Sequence, residues 1–322
     1  MTSKDLPSLR SRRDFLKMMG LSALALAMSQ AVDTALAEGT LDKANPDQIG
    51  WLIDLTRCVD CGACSWACKE WNQLPSTAAE PREWTFDTWT FIENVEVPTA
   101  LGDQAVCSVK RQCMHCLEPA CVSACPVAAL HQLADGSVVY DVSLCMGCRY
   151  CMLACPFDVP HFEWNEGLTP VIGKCILCTD RRESGLNPAC VDACPTGTLE
   201  FGTRERMLAV ARARIETDPE RYVDHIYGEH EVGGTGVLYL SPVPFEQLGF
   251  RTDLATDPLP ELTWNIMTRI PAVAVGVVVA MSGMAIITHR RGQGHQAKHP
   301  EKTPLDTNLP SEATSAEASA EE

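Results

Sequence analysis

Apolar positions change rhythm several times along the chain, and each change predicts an element. Residues 49–55 (IGWLIDL) form a short, alternating apolar run, the pattern of a strand with a buried face. Ala67, Cys68, Lys69, Glu70 and Trp71 then predict a short helix. In the stretch 74–106, Trp84, Phe86, Thr88 and Thr90 alternate with Thr85, Asp87, Trp89 and Phe91, so this insertion predicts a β ribbon. Pro126 predicts the start of a helical turn, and residues 129–133 and 137–141 predict two strands joined by Ala134-Asp135-Gly136. Residues 198–201 predict a closing strand. After Thr203 the period lengthens, and Met207, Leu208, Val210, Ala211 and Ile215 mark an amphipathic helix stopped at Asp218-Pro219. The loop Gly233-Gly-Thr-Gly236 has no Walker lysine and no strand-to-helix context, so it reads as a flexible turn, ahead of a strand at 237–240.

Two stretches set the outer boundaries. Residues 270–288 carry no charge and are long enough, at about 1.5 Å per residue, to cross a bilayer core of about 30 Å. His289, Arg290, Arg291 and Lys298 follow, a positive flank that belongs on the cytoplasmic side and places the main domain on the opposite, periplasmic or extracytoplasmic side. A buried core helix is the alternative; Gly276 and Gly283 suit either, and also suit packing against a partner helix. At the other end, Ser11-Arg12-Arg13-Asp14-Phe15-Leu16-Lys17 is a twin-arginine motif, followed by the apolar run 18–28 and the small-residue site Ala35-Leu36-Ala37. That run is too short to span a bilayer, so 1–37 reads as a signal for the twin-arginine export machinery. The expected divisions are the signal, a cysteine-rich domain at 38–202 with its insertion at 74–106, an extension at 203–262, a membrane helix at 263–290 and a tail at 291–322. The end of that tail is rich in Glu, Ala, Ser and Thr and has too little apolar content to build a core, so it is expected to be disordered.

Cysteine changes this picture most. Sixteen of the seventeen cysteines fall into four quartets. Cys145, Cys148, Cys151 and Cys155, with Pro156 next, read C-x2-C-x2-C-x3-C-P, the spacing of a two-cluster bacterial ferredoxin. Cys58, Cys61, Cys64 and Cys68 repeat it; Cys113, Cys116, Cys121 and Cys125 stretch the second gap to four residues, and Cys175, Cys178, Cys190 and Cys194 stretch it to eleven. Structural zinc also accepts four thiolates but usually takes them as two separated pairs, whereas a close triplet with a distant fourth cysteine suits a cubane. Four [4Fe–4S] clusters are therefore expected. Disulfides would be the ordinary reading for an exported chain, but twin-arginine export carries folded proteins, so clusters can be built in the reducing cytoplasm first. The net charge of −16 argues against nucleic acid, whose binders need a basic face.

In runs of this type the fourth cysteine ligates the cluster of a paired run. If the second and third quartets pair, one cluster takes Cys113, Cys116, Cys121 and Cys155, and the next Cys145, Cys148, Cys151 and Cys125. If the first and fourth pair, the others take Cys58, Cys61, Cys64 and Cys194, and Cys175, Cys178, Cys190 and Cys68. The repeats then amount to one ferredoxin inserted within another, an α+β, pseudo-twofold double domain with one C-terminal membrane helix. Cys107 is left over and reads as a small buried apolar residue. Lys69, Arg111, Arg149 and Lys174 adjoin ligands, where a cation would raise a cluster potential; solvated surface charge is the alternative. His115, His131, His161, His225 and His230 lie outside the apolar helix, so they offer no axial pair for a membrane haem. No nucleophile constellation or dinucleotide fingerprint accompanies these residues. The chain is expected to move electrons while a partner performs the chemistry, and a redox-inert zinc scaffold is the contrasting reading.

The four-quartet layout resembles the iron–sulfur electron-transfer subunits of the dimethyl-sulfoxide-reductase type over residues 54–291. That resemblance implies a wire of four [4Fe–4S] clusters with quartets paired one with four and two with three, and since all sixteen positions are cysteine it implies no three-iron cluster. The Hyb-type nickel–iron hydrogenase subunit is similar in its own twin-arginine signal, in Gln112-Cys-Met-His-Cys116 and Cys148-Arg-Tyr-Cys151, and in Tyr227-Gly-Glu-His-Glu231 through Pro244. The beta subunit of respiratory formate dehydrogenase is similar in Cys68-Lys-Glu-Trp-Asn72, in the long gap of the fourth quartet, and in Pro195-Thr-Gly197 with Phe201-Gly-Thr203. Both have a single C-terminal membrane helix. The formate dehydrogenase subunit usually rides on its catalytic partner's signal, so the signal here favours the hydrogenase type. Either resemblance implies a catalytic oxidoreductase subunit and an integral-membrane, quinone-reactive subunit as partners.

Overall fold

The computed structural model describes residues 48–75, 80–98, 104–167 and 171–296; the twin-arginine stretch and the end of the tail lie outside them. The centre is a three-stranded sheet. Strand β1 (Ile49–Asp54) lies between two strands that come much later in the chain. One edge is β8 (Leu199–Thr203), antiparallel with Trp51 opposite Phe201; the other is β9 (Val237–Leu240), parallel with Trp51 opposite Val237. All of β1 after Ile49 is buried, which explains its nearly continuous apolar run.

Asp54 ends β1 fully buried. Its carboxylate accepts hydrogen bonds from the backbone N–H and hydroxyl of Thr56, at 3.1 and 2.6 Å, and from the Tyr222 hydroxyl at 3.0 Å, and it pairs with Arg214 at 3.1 Å and Arg57 at 3.4 Å. A buried carboxylate is tolerable only with such compensation.

Helix α6 (Arg204–Thr217) is capped by Thr203, whose hydroxyl accepts from the Arg206 N–H. It buries Met207 and Ala211 in one cluster with Leu52, Leu238, Leu240, Tyr222 and Ile226. It ends at Asp218, as its pattern predicted.

The insertion is a ribbon of β2 (Thr90–Pro98) and β3 (Gln104–Gln112), antiparallel, with Val95 opposite Cys107. Its strands lie later than the alternation indicated. Trp84 to Trp89 hold a tight turn with Thr85 bridged to Thr88, and Trp84 instead packs edge-on against Phe91. Two hairpins follow, β4 (Leu130–Gln132) with β5 (Val138–Tyr140) and β6 (His161–Phe162) with β7 (Ile172–Gly173). The helical turn expected at Pro126 is displaced. Helix α2 (Ala120–Ser123) precedes Cys125, and the proline opens a non-helical turn because Ala128 is left-handed. The other short helices are α1 (Ala63–Trp71), α3 (Tyr150–Ala154), α4 (Thr179–Glu183) and α5 (Ala189–Asp192).

The glycine loop is not the free turn its composition indicated. Gly236 donates to the His115 carbonyl at 2.9 Å, Leu117 donates to Gly234 at 3.0 Å, and a Cβ on Gly236 would meet the carbonyl oxygens of His115 and Ile49 at 3.1 and 3.3 Å. The glycines allow two backbones to approach closely.

Two compact units result, residues 1–268 and 269–322. The first ends with α7 (Leu259–Met267). The second contains α8 (Ile270–Gln296), so the single segment expected from residue 263 is two helices, and the expected tail begins as helix through Gln296. The span Ile270–His289 of α8 is long and apolar enough to cross a membrane, and its Val273, Val277, Val278 and Met281 are exposed.

Candidate iron–sulfur sites

The four cysteine loops share one backbone device. Two residues after the first cysteine of each quartet the chain is left-handed: Asp60 (φ 53°), His115 (45°), Gly147 (71°) and Leu177 (63°). This turn aims a backbone N–H at the preceding sulfur. Gly147 donates to Cys145 Sγ at 3.5 Å and Leu177 to Cys175 Sγ at 3.4 Å. Only one of the four is glycine, and a leucine held there stores about 1–3 kcal/mol of strain. After the fourth cysteine, Cys-Pro leads to a second left-handed residue in three quartets, Ala128, Asp158 and Gly197. The N–H groups of Ala128 and Asp158 return to the carbonyls of Cys125 and Cys155, both at 3.4 Å. The first quartet has no proline after Cys68, and α1 runs on to Trp71.

Folding gathers the sixteen cysteines into four groups of neighbours. Cys58, Cys61, Cys64 and Cys194 line one cavity together with Ile92, Lys110, Thr196, Thr198 and Leu199. Cys68 has Cys175, Cys190 and Cys178 as its electrostatic neighbours; Cys116 has Cys155, Cys113 and Cys121; Cys151 has Cys145, Cys148 and Cys125, and also Cys121 of the preceding group. The groups also act on one another electrostatically. Cys190 senses Cys64, Cys175 senses Cys113, and Cys151 senses Cys121. Cys61 and Cys148 are the two exposed cysteines, one in the first group and one in the last.

Burial is the leading cause of the thiols' behaviour. It pushes Cys58 and Cys121 up to about 11, and Cys151, Cys155, Cys175 and Cys190 up to about 12. Burial and then neighbouring cysteines carry Cys68 and Cys116 well above the ordinary thiol value. Cys194 goes the other way, because hydrogen bonds from Thr196, Leu199 and Thr198 outweigh its burial. Thiolates crowded in this way need a cationic partner, and iron coordination deprotonates a thiol outright.

The donor set fits a cubane better than a single ion. The Cys58 group joins three cysteines of one loop to Cys194 of a distant run, and a cubane spreads its four thiolates over separate iron corners, whereas structural zinc usually takes two close pairs. Buried polar atoms point the same way. Gln112 Nε2 and His115 Nε2 flank Cys113 with no hydrogen-bond partner, and Trp51 Nε1, in the same core as Cys64, Cys113, Cys175 and Cys190, also has none. Bridging sulfides would supply acceptors. The Val138 N–H donates to His115 Nδ1 at 3.0 Å, which puts the ring proton on Nε2; burial first, then Lys174 and Arg182, hold this imidazole neutral.

The charges beside the cysteines divide in two. Arg111 pairs with Glu93 at 2.7 Å and lies over Phe250, and Arg149 lies over Phe162 and Trp164. Lys69 and Lys174 are buried rather than solvated. A third buried lysine, Lys110, was not singled out from sequence; its one signal is a charged residue between Val109 and Gln112 in a ribbon whose neighbours are buried. Cys107 lies in the main core opposite Val95, where burial raises its thiol. Of the other histidines, His161 stacks on Trp84 and His225 bonds Glu231 at 2.8 Å.

Residues 105–204 match a 4Fe-4S dicluster domain, so the fold and its cysteines are those of a ferredoxin-like iron–sulfur protein. A protein of Nitratidesulfovibrio vulgaris is 40% identical over 289 residues, covering 87% of this chain and 77% of that one. The hydrogenase-2 operon protein HybA of Escherichia coli O157:H7 is 32% identical over 320 residues, 87% of this chain and 95% of its own length. The formate dehydrogenase-O iron–sulfur subunit of Escherichia coli K12 is 37% identical over 205 residues, 60% of this chain and 67% of that subunit. The chain belongs to the family of iron–sulfur electron-transfer subunits that includes HybA and the formate dehydrogenase iron–sulfur subunits.

Proposed function

We propose that this chain is the electron-transfer subunit of a membrane-bound respiratory oxidoreductase, relaying electrons through four [4Fe–4S] clusters. Its partners on this reading are a catalytic subunit of nickel–iron hydrogenase type on the exported side and a quinone-reactive membrane subunit. The observation that carries the reading is the set of four cysteine groups, of which one holds exposed Cys61 and another exposed Cys148. A relay needs short steps inside the protein and an accessible site at each end.

The ligand sets on this reading are Cys58, Cys61, Cys64 with Cys194; Cys175, Cys178, Cys190 with Cys68; Cys113, Cys116, Cys121 with Cys155; and Cys145, Cys148, Cys151 with Cys125. This is the interleaving of a double ferredoxin. When bound, such clusters supply one-electron exchange with no transfer of atoms. The chain's own residues hold the sulfurs through left-handed loops, exclude water with the core around Trp51, Cys64, Cys113 and Cys175, and present backbone N–H groups to Cys145 and Cys175. Helix α8 would be the membrane anchor, with the twin-arginine motif and the positive flank setting its direction.

The hydrogenase reading is supported by the near-complete alignment with HybA. The reading as beta subunit of a respiratory formate dehydrogenase is favoured by the higher identity, 37%, over the shorter match to formate dehydrogenase-O. Purification of the complex in mild detergent, with iron, zinc, nickel, molybdenum and tungsten assayed, separates them. Roughly sixteen irons per chain with nickel is the expected result, and molybdenum or tungsten in place of nickel selects formate dehydrogenase. Four zincs and little iron would remove the electron relay altogether.

A further inference from the structure

The three buried lysines beside the cysteines are compensated differently. Lys69 donates to the carbonyls of Pro75 and Asp87, at 3.0 and 2.8 Å, and pairs with the Asp87 carboxylate at 3.7 Å, so its charge is cancelled locally. Lys110 is 1% exposed and meets only neutral acceptors, Thr90 Oγ1 at 2.7 Å and Gln112 Oε1, below the ring of Trp51 at 5.9 Å. It lines the cavity enclosed by Cys58, Cys61, Cys64 and Cys194. The cysteines that act on its charge are Cys190, Cys175 and Cys68 of the second group and Cys64 of the first.

Lys174 is also 1% exposed and donates to the carbonyls of Val138 at 2.6 Å and Cys175 at 2.7 Å. The N–H of the same Val138 donates to His115, between Cys113 and Cys116. The Lys174 ammonium is thereby tied to Cys175 of the second group and to the His115 loop of the third. Neither lysine has a carboxylate partner among the described residues.

We propose that Lys110 and Lys174 are fixed positive charges that raise the reduction potentials of the clusters on either side of them. Lys110 acts on the first and second, Lys174 on the second and third. The second is raised by both and the fourth by neither. Reduction adds one negative charge to a buried site without moving an atom or a proton, and an ammonium in the same low-dielectric interior stabilises the reduced form. The electron comes from the adjacent member of the relay. Local neutrality makes Lys69 a built-in control.

This inference rests on the four-cluster reading, and the experiment separates the two. The complex carrying Lys110→Met, Lys174→Met or both is titrated potentiometrically and followed by electron paramagnetic resonance, with the end clusters assigned through Cys61→Ser and Cys148→Ser. Lys110→Met is expected to lower two midpoint potentials, the first and second; Lys174→Met lowers the second and third. In the double variant the second falls by the sum of its two single shifts and the fourth stays where it was. Lys110→Gln and Lys174→Gln, whose amides keep a donor for Thr90 and Val138, give the same pattern if the methionine variants do not assemble. Unmoved potentials, equal shifts in all four, or a largest shift in the fourth would overturn the inference. Iron and sulfide counts on the unmutated complex test the underlying reading: fewer than four clusters sinks that reading, whereas a full complement with unmoved potentials sinks only the role of the lysines.

Discussion

The first and third quartets have identical spacing but different packing partners. Cys58 to Cys68 and Cys145 to Cys155 both run C-x2-C-x2-C-x3-C, and both loops place two left-handed residues at the same positions, Asp60 and Gly62 in one, Gly147 and Arg149 in the other. The glycine has changed places between them, yet the backbone has not. Beyond the loop they diverge. The first leads into nine-residue α1, which packs against β2 of the ribbon and against α5; the third leads into five-residue α3, with Val142, Leu144, Met146, Tyr150 and Leu153 exposed around it. Spacing sets how the loop wraps its sulfurs. Both loops leave their second cysteine exposed and their third buried, and only the fourth differs, Cys68 being buried and Cys155 half-buried.

The sharpest way to break this comparison is to remove a shared ligand. Cys155→Ala should cost roughly four irons of sixteen and extinguish the signal of the Cys113 group while sparing the Cys145 group, because the fourth cysteine serves the paired run. Spectroscopic loss confined to the Cys145 group would reject the interleaved assignment.

Next in size is Asp54, which is fully buried beside two arginines, whereas its counterpart four residues before the third quartet, Asp141, caps Ser143 in the same way but lies nearer the surface. Asp54→Ala leaves the Tyr222 hydroxyl and the Thr56 N–H without their buried acceptor, while Arg214 and Arg57 keep Glu200, and should lower stability by about 2–3 kcal/mol in a denaturant titration of the holo-complex. The sheet side should open first. An unchanged midpoint would show that the sheet does not organise this side.

A smaller effect tests the exchanged glycine. Gly62→Ala forces a side chain into a left-handed position at about 1–2 kcal/mol, with the Glu80 carboxylate in the way at 2.5 Å. Arg149→Gly relieves a similar strain but gives up the stacking on Phe162 and Trp164, worth about 0.5–1 kcal/mol, so its net change in stability should be small. Equal destabilisation by both would refute the view that the two loops share one backbone.

The smallest effect is a pH dependence where the two halves meet. Asp135, in the β4–β5 turn, pairs with Arg182 of α4 at 2.6 Å. Burial works against its ionised form, but hydrogen bonds from Ser137 and the Arg182 guanidinium win and hold the carboxyl below its ordinary value. A lowered pKa means stability present above the ordinary value and lost as pH falls through the folded one. Since the pair is partly exposed, the loss below about pH 4 should be on the order of 0.5 kcal/mol, and Asp135→Asn should abolish that part of the acid dependence.

Much of this molecule was legible before any coordinates. The β1 run, the closing strand at Leu199–Thr203, helix α6 with its stop at Asp218, the β4–β5 hairpin and the apolar helix all follow from patterns that act over a few residues. The turn at Trp84 to Trp89 misled, because bulky residues alternating with threonine look alike in a strand and in a tight turn packed against Phe91. The glycine loop misled for a different reason: composition permits freedom, but whether another backbone comes close is a long-range matter, and here His115 does.

By itself the sequence determined the spacing of the cysteines, and hence the cluster-type loops, since ligand spacing along a chain is a local property. It also determined the elements whose period lies within ten or twenty residues. Only the tertiary structure decided that Cys61 and Cys148 reach the surface while Cys64, Cys68 and Cys151 are buried, and that Lys110, from the inserted ribbon, is buried among cysteines more than forty residues away on either side. The physical reason is one of range. Backbone geometry is written in neighbouring residues, whereas burial, and with it the strength of every charge near these sulfurs, is set by segments that meet only when the chain folds.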